Sequence, residues 1–209
     1  KCGADAIWIS NHGGRMLNSG ISGVEALTEI KKNIKKNKIK IIVDPKRTDF
    51  SFYRNANIIT PNLKELSEAV KEGKIGSSEK NIERLSKKIL KLHNFETVIT
   101  TKSSNGISII NRYSKSFHLP SKAKEVYDVS GAGDTVVAYI AVGESKHKNI
   151  KDSVEFANEA AGVAVGKFGT SVVSKEEVIQ KIGNKPKVCT LQDVTLELKE
   201  KKINVGFTN

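Results

Sequence analysis

The sequence predicts a parallel, layered α/β sheet, and three observations carry that expectation. Short apolar runs rich in Ile, Val and Thr alternate along the chain with longer stretches whose apolar residues fall at helical spacing. Gly, Pro and Asn mark the joints between them, where turns and helix caps belong. At 209 residues, 38% hydrophobic and 28% charged, the chain has the size and balance of one ordinary domain, or of one domain and the start of another. Strands that alternate with helices put the helices on the faces of a parallel sheet.

In chain order, Ala6 to Ser10 reads as a strand and Gly23 to Ile34 as a helix, with its apolar rhythm at Val24, Leu27, Ile30 and Ile34. Ile39 to Val43 is the next strand and completes a β-α-β unit. Ala56 to Ile59 is a further strand that runs into Thr60-Pro61-Asn62. Pro61 stops it, and Asn62 is a good N-cap for a helix over Leu63 to Val70. Asn81 to Leu92 is a second amphipathic helix. Thr97 to Thr101 is a strand, and Gly106 to Asn111 is its antiparallel neighbour across the turn Ser103-Ser104-Asn105-Gly106. Thr135 to Val142 is too uniformly apolar to show a period, and its place after a glycine loop favours a helix. Val154 to Val165 is an Ala-rich helix and Ser174 to Ile182 another. Gly183 to Lys187 reads as a linker, followed by a helix over Leu191 to Lys202 and a strand over Ile203 to Thr208.

Composition excludes several classes. No uncharged run approaches the roughly 18 apolar residues of a membrane span, and Lys1-Cys2-Gly3-Ala4-Asp5 has no long apolar stretch behind it, so a cytoplasmic address is expected and no membrane partner. Cys2 and Cys189 lie at opposite ends without metal-ligand spacing and are expected to be reduced thiols. A net charge of +12 would ordinarily suggest an acidic partner. But only Arg15, Arg47, Arg54, Arg84 and Arg112 are arginines among 35 basic residues, the other 30 being scattered lysines. Arg is the bidentate reader of phosphate and guanine, so solvated lysine faces are expected rather than a nucleic-acid surface.

Chemistry concentrates in "DVSGAGDT", residues 128 to 135. Gly131 and Gly133 let the backbone turn tightly and aim successive N–H groups into one concavity, and the helix that follows adds the positive end of its dipole. Such a nest stabilises phosphate. Asp134, in the first turn of that helix, is placed either to take a proton from an attacking hydroxyl or simply to cap the helix.

The blocks "IIVDPKRTDF", "NIITPNLKEL", "VITTKSSNGISI", "EVYDVSGAGDTVVA" and "FANEAAGVAVGKFGTSVVS" occur in an order and spacing that resemble the C-terminal half of the ribokinase-like carbohydrate kinases, and within them the D-glycero-D-manno-heptose 7-phosphate kinases. The resemblance implies a ribokinase-like layered sheet, ATP and Mg²⁺, and a sugar phosphate as acceptor. It implies that Asp134 is the base, that Gly131, Ala132 and Gly133 form the anion hole, and that Asn62 and Glu65 of the N-x-x-E motif, with Leu63 and Lys64 between them, serve the nucleotide phosphates and magnesium through water. Residues three apart share one helix face, and a carboxylate there suits a hydrated Mg²⁺, with no metal site made by protein ligands alone. Thr101, Lys102 and Gly106 match a loop along the nucleotide, and Asn158 with Gly169 match the adenine side. Asp128 matches an acidic position associated with a monovalent cation, a structural turn being the alternative. His93, His118 and His147 match no motif and read as surface or structural residues. Arg47 stands where the family has glycine, which leaves the local backbone to be settled.

Residues 3 to 30, with "SNHGGR", instead resemble the FMN-dependent 2-hydroxy acid dehydrogenases, whose histidine base and carboxylate-binding arginine map to His12 and Arg15. Such enzymes are barrels of about 250 residues with a flavin phosphate site; residues after 30 follow the kinase pattern, so FMN is not expected and His12 and Arg15 read as an orphan motif. "KINVGFTN" resembles the first strand of the adenylyltransferase that follows the kinase in bifunctional heptose enzymes. The expected organisation is therefore 1–30 flavoenzyme-like, 31–182 kinase without its N-terminal half, and 183–209 linker and truncated adenylyltransferase strand. The expected function is an ATP-dependent heptose 7-phosphate kinase of lipopolysaccharide core synthesis, inactive as this segment alone and homodimeric when intact. The alternatives are a flavin-dependent 2-hydroxy acid oxidoreductase and a non-catalytic nucleotide-binding module.

Overall fold

The computed structural model describes residues 40–72, 76, 78–123, 127–146, 148–169 and 171–183. The expected elements at 6–10, 23–34, 191–202 and 203–208, the linker after Gly183, and His12, Arg15 and His147 lie outside the described residues; Gly183 itself, expected to open the linker, ends the last helix.

Strands β1 (Ile42–Val43), β2 (Ile58–Ile59), β3 (Thr97–Thr101), β4 (Ile107–Asn111) and β5 (Phe117–Leu119) form one sheet in that spatial order. The sheet is mixed. β1, β2 and β3 are parallel, with Val43 opposite Ile59 and Ile59 opposite Val98. β3 pairs antiparallel with β4, and β4 with β5. The expectation of a parallel sheet thus holds for the first three strands, while β4 turns back because a three-residue 3₁₀ turn, Ser103–Asn105, is too short for a crossover.

Helices cover both faces. Helix α1 (Leu63–Ala69) and helix α2 (Glu79–His93) link β2 to β3, and helices α3 (Ala132–Ser145), α4 (Ile150–Ala164) and α5 (Lys175–Gly183) follow the strands. Because successive side chains of a strand point to opposite faces, β1 to β4 each contribute to two cores, while β5 packs on one. Ile59, Val98 and Ile110 pack with Phe50, Leu66, Ile82, Leu85, Ile89 and Phe95 on one side. Ile58, Ile99 and Ile109 pack with Val136, Ile140, Val154 and Ala157 on the other.

Local chemistry explains the boundaries. Ser78 caps α2 by accepting the N–H of Asn81, and Asn94 ends it in the left-handed conformation, φ 58°. Ile82, Leu85, Ile89 and Leu90 face inward, while Lys80, Lys87, Lys88 and Lys91 stay in water. α3 is helical over its whole apolar length, as its position after the glycine loop leads one to expect. Its Gly143 faces α4 so closely that a Cβ there would lie 2.5 Å from the Ser153 Cβ, an approach only glycine permits. Two elements were absent from the sequence reading: the 3₁₀ turn Phe50–Tyr53, capped by Asp49, and β5.

Candidate active site

The C-terminal ends of β1, β2 and β3 lie side by side, the edge of an open α/β sheet where ligands bind. Val43 ends β1, and its carbonyl accepts both the N–H (2.9 Å) and the hydroxyl (3.2 Å) of Thr60. The chain leaving β1 reaches Asp44 and Lys46, whose side chains form an ion pair of 2.7 Å. The Tyr53 hydroxyl accepts the N–H groups of Lys46 and Arg47, each at 3.2 Å. Arg47 has no positive φ and lays its guanidinium over the Phe52 ring at 4.6 Å, so this turn does not need the glycine that the family pattern places there.

Beyond β2, buried Pro61 brings Asn62 to the start of α1. Asn62 Oδ1 accepts the Glu65 N–H (2.9 Å), and the Asn62 N–H donates to Glu65 Oε2 (2.8 Å), a reciprocal capping box. The cap occupies one oxygen of each side chain and leaves Glu65 Oε1 and the Asn62 amide group uncommitted to it. Burial pushes the Glu65 carboxyl above its ordinary range; the Asn62 N–H and Lys46 oppose that, while Asp44 reinforces it.

Past Asn62, the N–H of Thr101 donates to the Pro61 carbonyl at 3.1 Å, so the end of β3 joins the same edge. The Lys102 N–H closes the following turn on the Gly106 carbonyl at 2.8 Å. Lys102 is buried, which lowers its ammonium pKa against the opposing charge of Glu79. Gly106 has φ 84°, and a Cβ would stand 2.0 Å from the Leu119 carbonyl oxygen; the position belongs to glycine on both counts.

Helix α3 begins at Gly131, φ 76°, with no side chain capping its first N–H groups. Asp134 is exposed in the first turn, and Gly133 has open space where a Cβ would sit. The loop before it is tied down by Asp128. One of its oxygens accepts the Ser130 N–H at 2.8 Å and the other the Gly169 N–H at 3.1 Å, and Gly169 has φ 67°. The Ser130 hydrogen bonds, joined by that of Gly169, hold the Asp128 carboxyl below its usual range. Asp128 and Gly169 therefore sit together in one structural tie.

Asn158 lies elsewhere. It is buried on α4, donates to the Pro120 carbonyl at 2.8 Å, and lines a cavity of about 460 Å³ with Leu119, Lys122, Glu155 and Phe156. Neither Gly169 nor Asp134 lines that cavity. The carboxylate charges of Asp44, Glu65 and Asp134 all act on Lys46, which puts these four groups in one electrostatic neighbourhood. Asp44 and Lys46 were not singled out as candidates from sequence, although the signal was present: an Asp-Pro-Lys immediately after a strand, at the end of the sheet where ligands bind. Among the described residues no group of three or more His, Cys, Asp or Glu side chains is arranged to hold a metal ion, and no helix is long and apolar enough to cross a membrane.

A mixed sheet covered on both faces, with acidic groups at the strand ends and an open helix N-terminus beside them, belongs to the ribokinase-like class. Solved structures with this fold include the Arabidopsis thaliana ribokinase complexed with ribose and ATP (23% identity, TM-score 0.69, 76% of this chain and 52% of that one). Another is the Giardia lamblia ribokinase (25%, TM-score 0.68, 78% and 56%). The profile of the pfkB family carbohydrate kinases matches residues 5–177, and the chain belongs to that family. The match begins at residue 5 and so runs through most of the stretch with the flavoenzyme-like motif. Curated relatives include the bifunctional protein HldE of Vibrio parahaemolyticus, 42% identical over 144 residues (69% of this chain, 30% of the relative). The bifunctional protein HldE of Paramagnetospirillum magneticum is 35% identical over 179 residues (81% and 36%). The chain spans about a third of the length of these relatives.

Proposed function

We propose that the chain carries the nucleotide and phosphoryl-transfer part of an ATP-dependent kinase acting on the C1 hydroxyl of D-glycero-D-manno-heptose 7-phosphate. One observation carries the reading: an uncapped helix N-terminus with Asp134 in its first turn shares an electrostatic neighbourhood with Asp44, Lys46 and Glu65 at the strand ends. The heptose follows from the resemblance of the kinase blocks to heptose 7-phosphate kinases, supported by the identity with the HldE proteins. The same resemblance supports an adenylyltransferase partner domain and a homodimer.

The residues fit their roles. The first-turn N–H groups of Gly133 and Asp134, behind Gly131, have no intrahelical acceptors and favour negative charge, which suits a phosphoryl group, while that of Ala132 donates to the Val129 carbonyl at 3.3 Å in the turn that forms the nest. Asp134, exposed beside them, takes the proton of the attacking hydroxyl. Glu65 keeps one oxygen free of its capping box for a water of a hydrated Mg²⁺, and Asn62 presents its amide beside it. Bound magnesium would neutralise charge on the nucleotide phosphates. Thr101, Lys102 and Gly106 line the nucleotide from the end of β3, with Gly169 on its adenine side, while Asn158, donating to the Pro120 carbonyl at the separate cavity, ties α4 to the chain after β5. Asp128, already holding two N–H groups, is the group for a monovalent cation.

The test is a chimera in which the matched segment of the Vibrio parahaemolyticus relative is exchanged for that of this chain. We expect ATP-dependent phosphorylation of heptose 7-phosphate, with ribose and fructose 6-phosphate poor acceptors. A folded chimera that phosphorylates no sugar, or prefers another one, overturns the assignment.

A further inference from the structure

Lys46 is built into the edge of the sheet at its base and exposed at its head. Its N–H is held by the Tyr53 hydroxyl at 3.2 Å, and the Tyr53 ring is buried against Phe50, 6.2 Å between ring centres. Its side chain, 63% exposed, reaches back to Asp44 at 2.7 Å. An exposed pair of this kind adds little stability, so folding does not account for a lysine here. Three carboxylates act on the one ammonium: Asp44 by hydrogen bond and charge, then Glu65 and Asp134 by charge. Partial burial opposes the charged form, but their sum outweighs it and holds the pKa above the ordinary lysine value. Lys64, the other lysine near Glu65, turns away to Glu68 at 3.9 Å.

A cation fixed at its backbone, exposed at its tip and set among the groups that manage phosphate and proton is suited to one partner, an anion that arrives between them. Lysine binds phosphate as a point charge on a flexible stem, and the transferring phosphoryl group spreads charge over three outer oxygens that need such partners. We propose that Lys46, parked on Asp44, contacts the terminal phosphate of the nucleoside triphosphate. Asp44 is then a positioning residue that keeps the ammonium at the strand end until the nucleotide draws it across. The inference rests on the kinase reading and deepens it.

The full chain is titrated calorimetrically with the magnesium complexes of AMP-PNP and of ADP, which differ in the terminal phosphate. Lys46→Met should weaken AMP-PNP about tenfold, the scale of one hydrogen bond to a charged group, and leave ADP within about twofold. Lys46→Arg should recover most of the difference. Circular dichroism reports folding, and if Lys46→Met does not fold, Lys46→Gln is read in the same way. Equal loss for both nucleotides, or no loss for either, overturns the assignment of Lys46 and leaves the kinase reading standing. A native chain that binds neither nucleotide overturns both.

Discussion

His93 closes α2 with its ring in the core, 6.5 Å from the Phe50 ring and 5.7 Å from that of Phe95, and its Nδ1 has no hydrogen-bond partner. Burial lowers its pKa, the Arg54 charge adds to that, and Asp49 opposes it. The folded chain therefore holds His93 neutral, while the unfolded chain takes up a proton near pH 6.5. Stability from this group is present above that value and is lost as pH falls through it, because the unfolded state then binds more protons. Urea midpoints measured at pH 8 and pH 5.5 should fall for the native chain and fall less for His93→Phe. Equal falls would show that the drop comes from other groups. The sequence classed His93 as surface or structural; its burial follows from the spacing Ile82, Leu85, Ile89 and His93, which continues one apolar face.

Elements differ in how far local sequence specifies them. α2 is legible because its lysines and isoleucines separate cleanly by face, and α1 because Pro61, Asn62 and Glu65 spell a strand stop and a capping box. β3 and β4 are legible through a glycine-bearing turn between β-branched runs. The 3₁₀ turn Phe50–Tyr53 is not, since its conformation depends on Asp49 capping and on Phe50 and Tyr53 finding a distant core. β5 is three half-buried residues, too short for a period, and exists because β4 offers it a partner. Leu85 is fully buried between α2 and the sheet. Leu85→Ala should lower the unfolding free energy by about 2–5 kcal/mol, read from urea denaturation. A change below about 1 kcal/mol would mean that this helix is not packed as described.

At the scale of the whole molecule, two cores among the described residues share one sheet, and the parallel strands β1, β2 and β3 deliver their C-terminal ends to the same edge, while β4 runs the other way. Of the site built there, the GAGD loop and the N-x-x-E pair are legible in sequence because each acts within one turn of helix. Asp44 and Lys46 are harder to read, because their importance lies in what β2 and α3 bring beside them. The account turns on Asp134 as the proton acceptor. The most direct measurement is single-turnover phosphorylation of heptose 7-phosphate by the chimera and by its Asp134→Asn form, with AMP-PNP affinity measured alongside. Asparagine keeps the size but accepts no proton, so turnover should fall about 10²–10⁴-fold with nucleotide affinity little changed. Turnover within about threefold of the parent, or joint loss of nucleotide binding and fold, would contradict the account and leave Asp134 a first-turn carboxylate that complements the helix dipole.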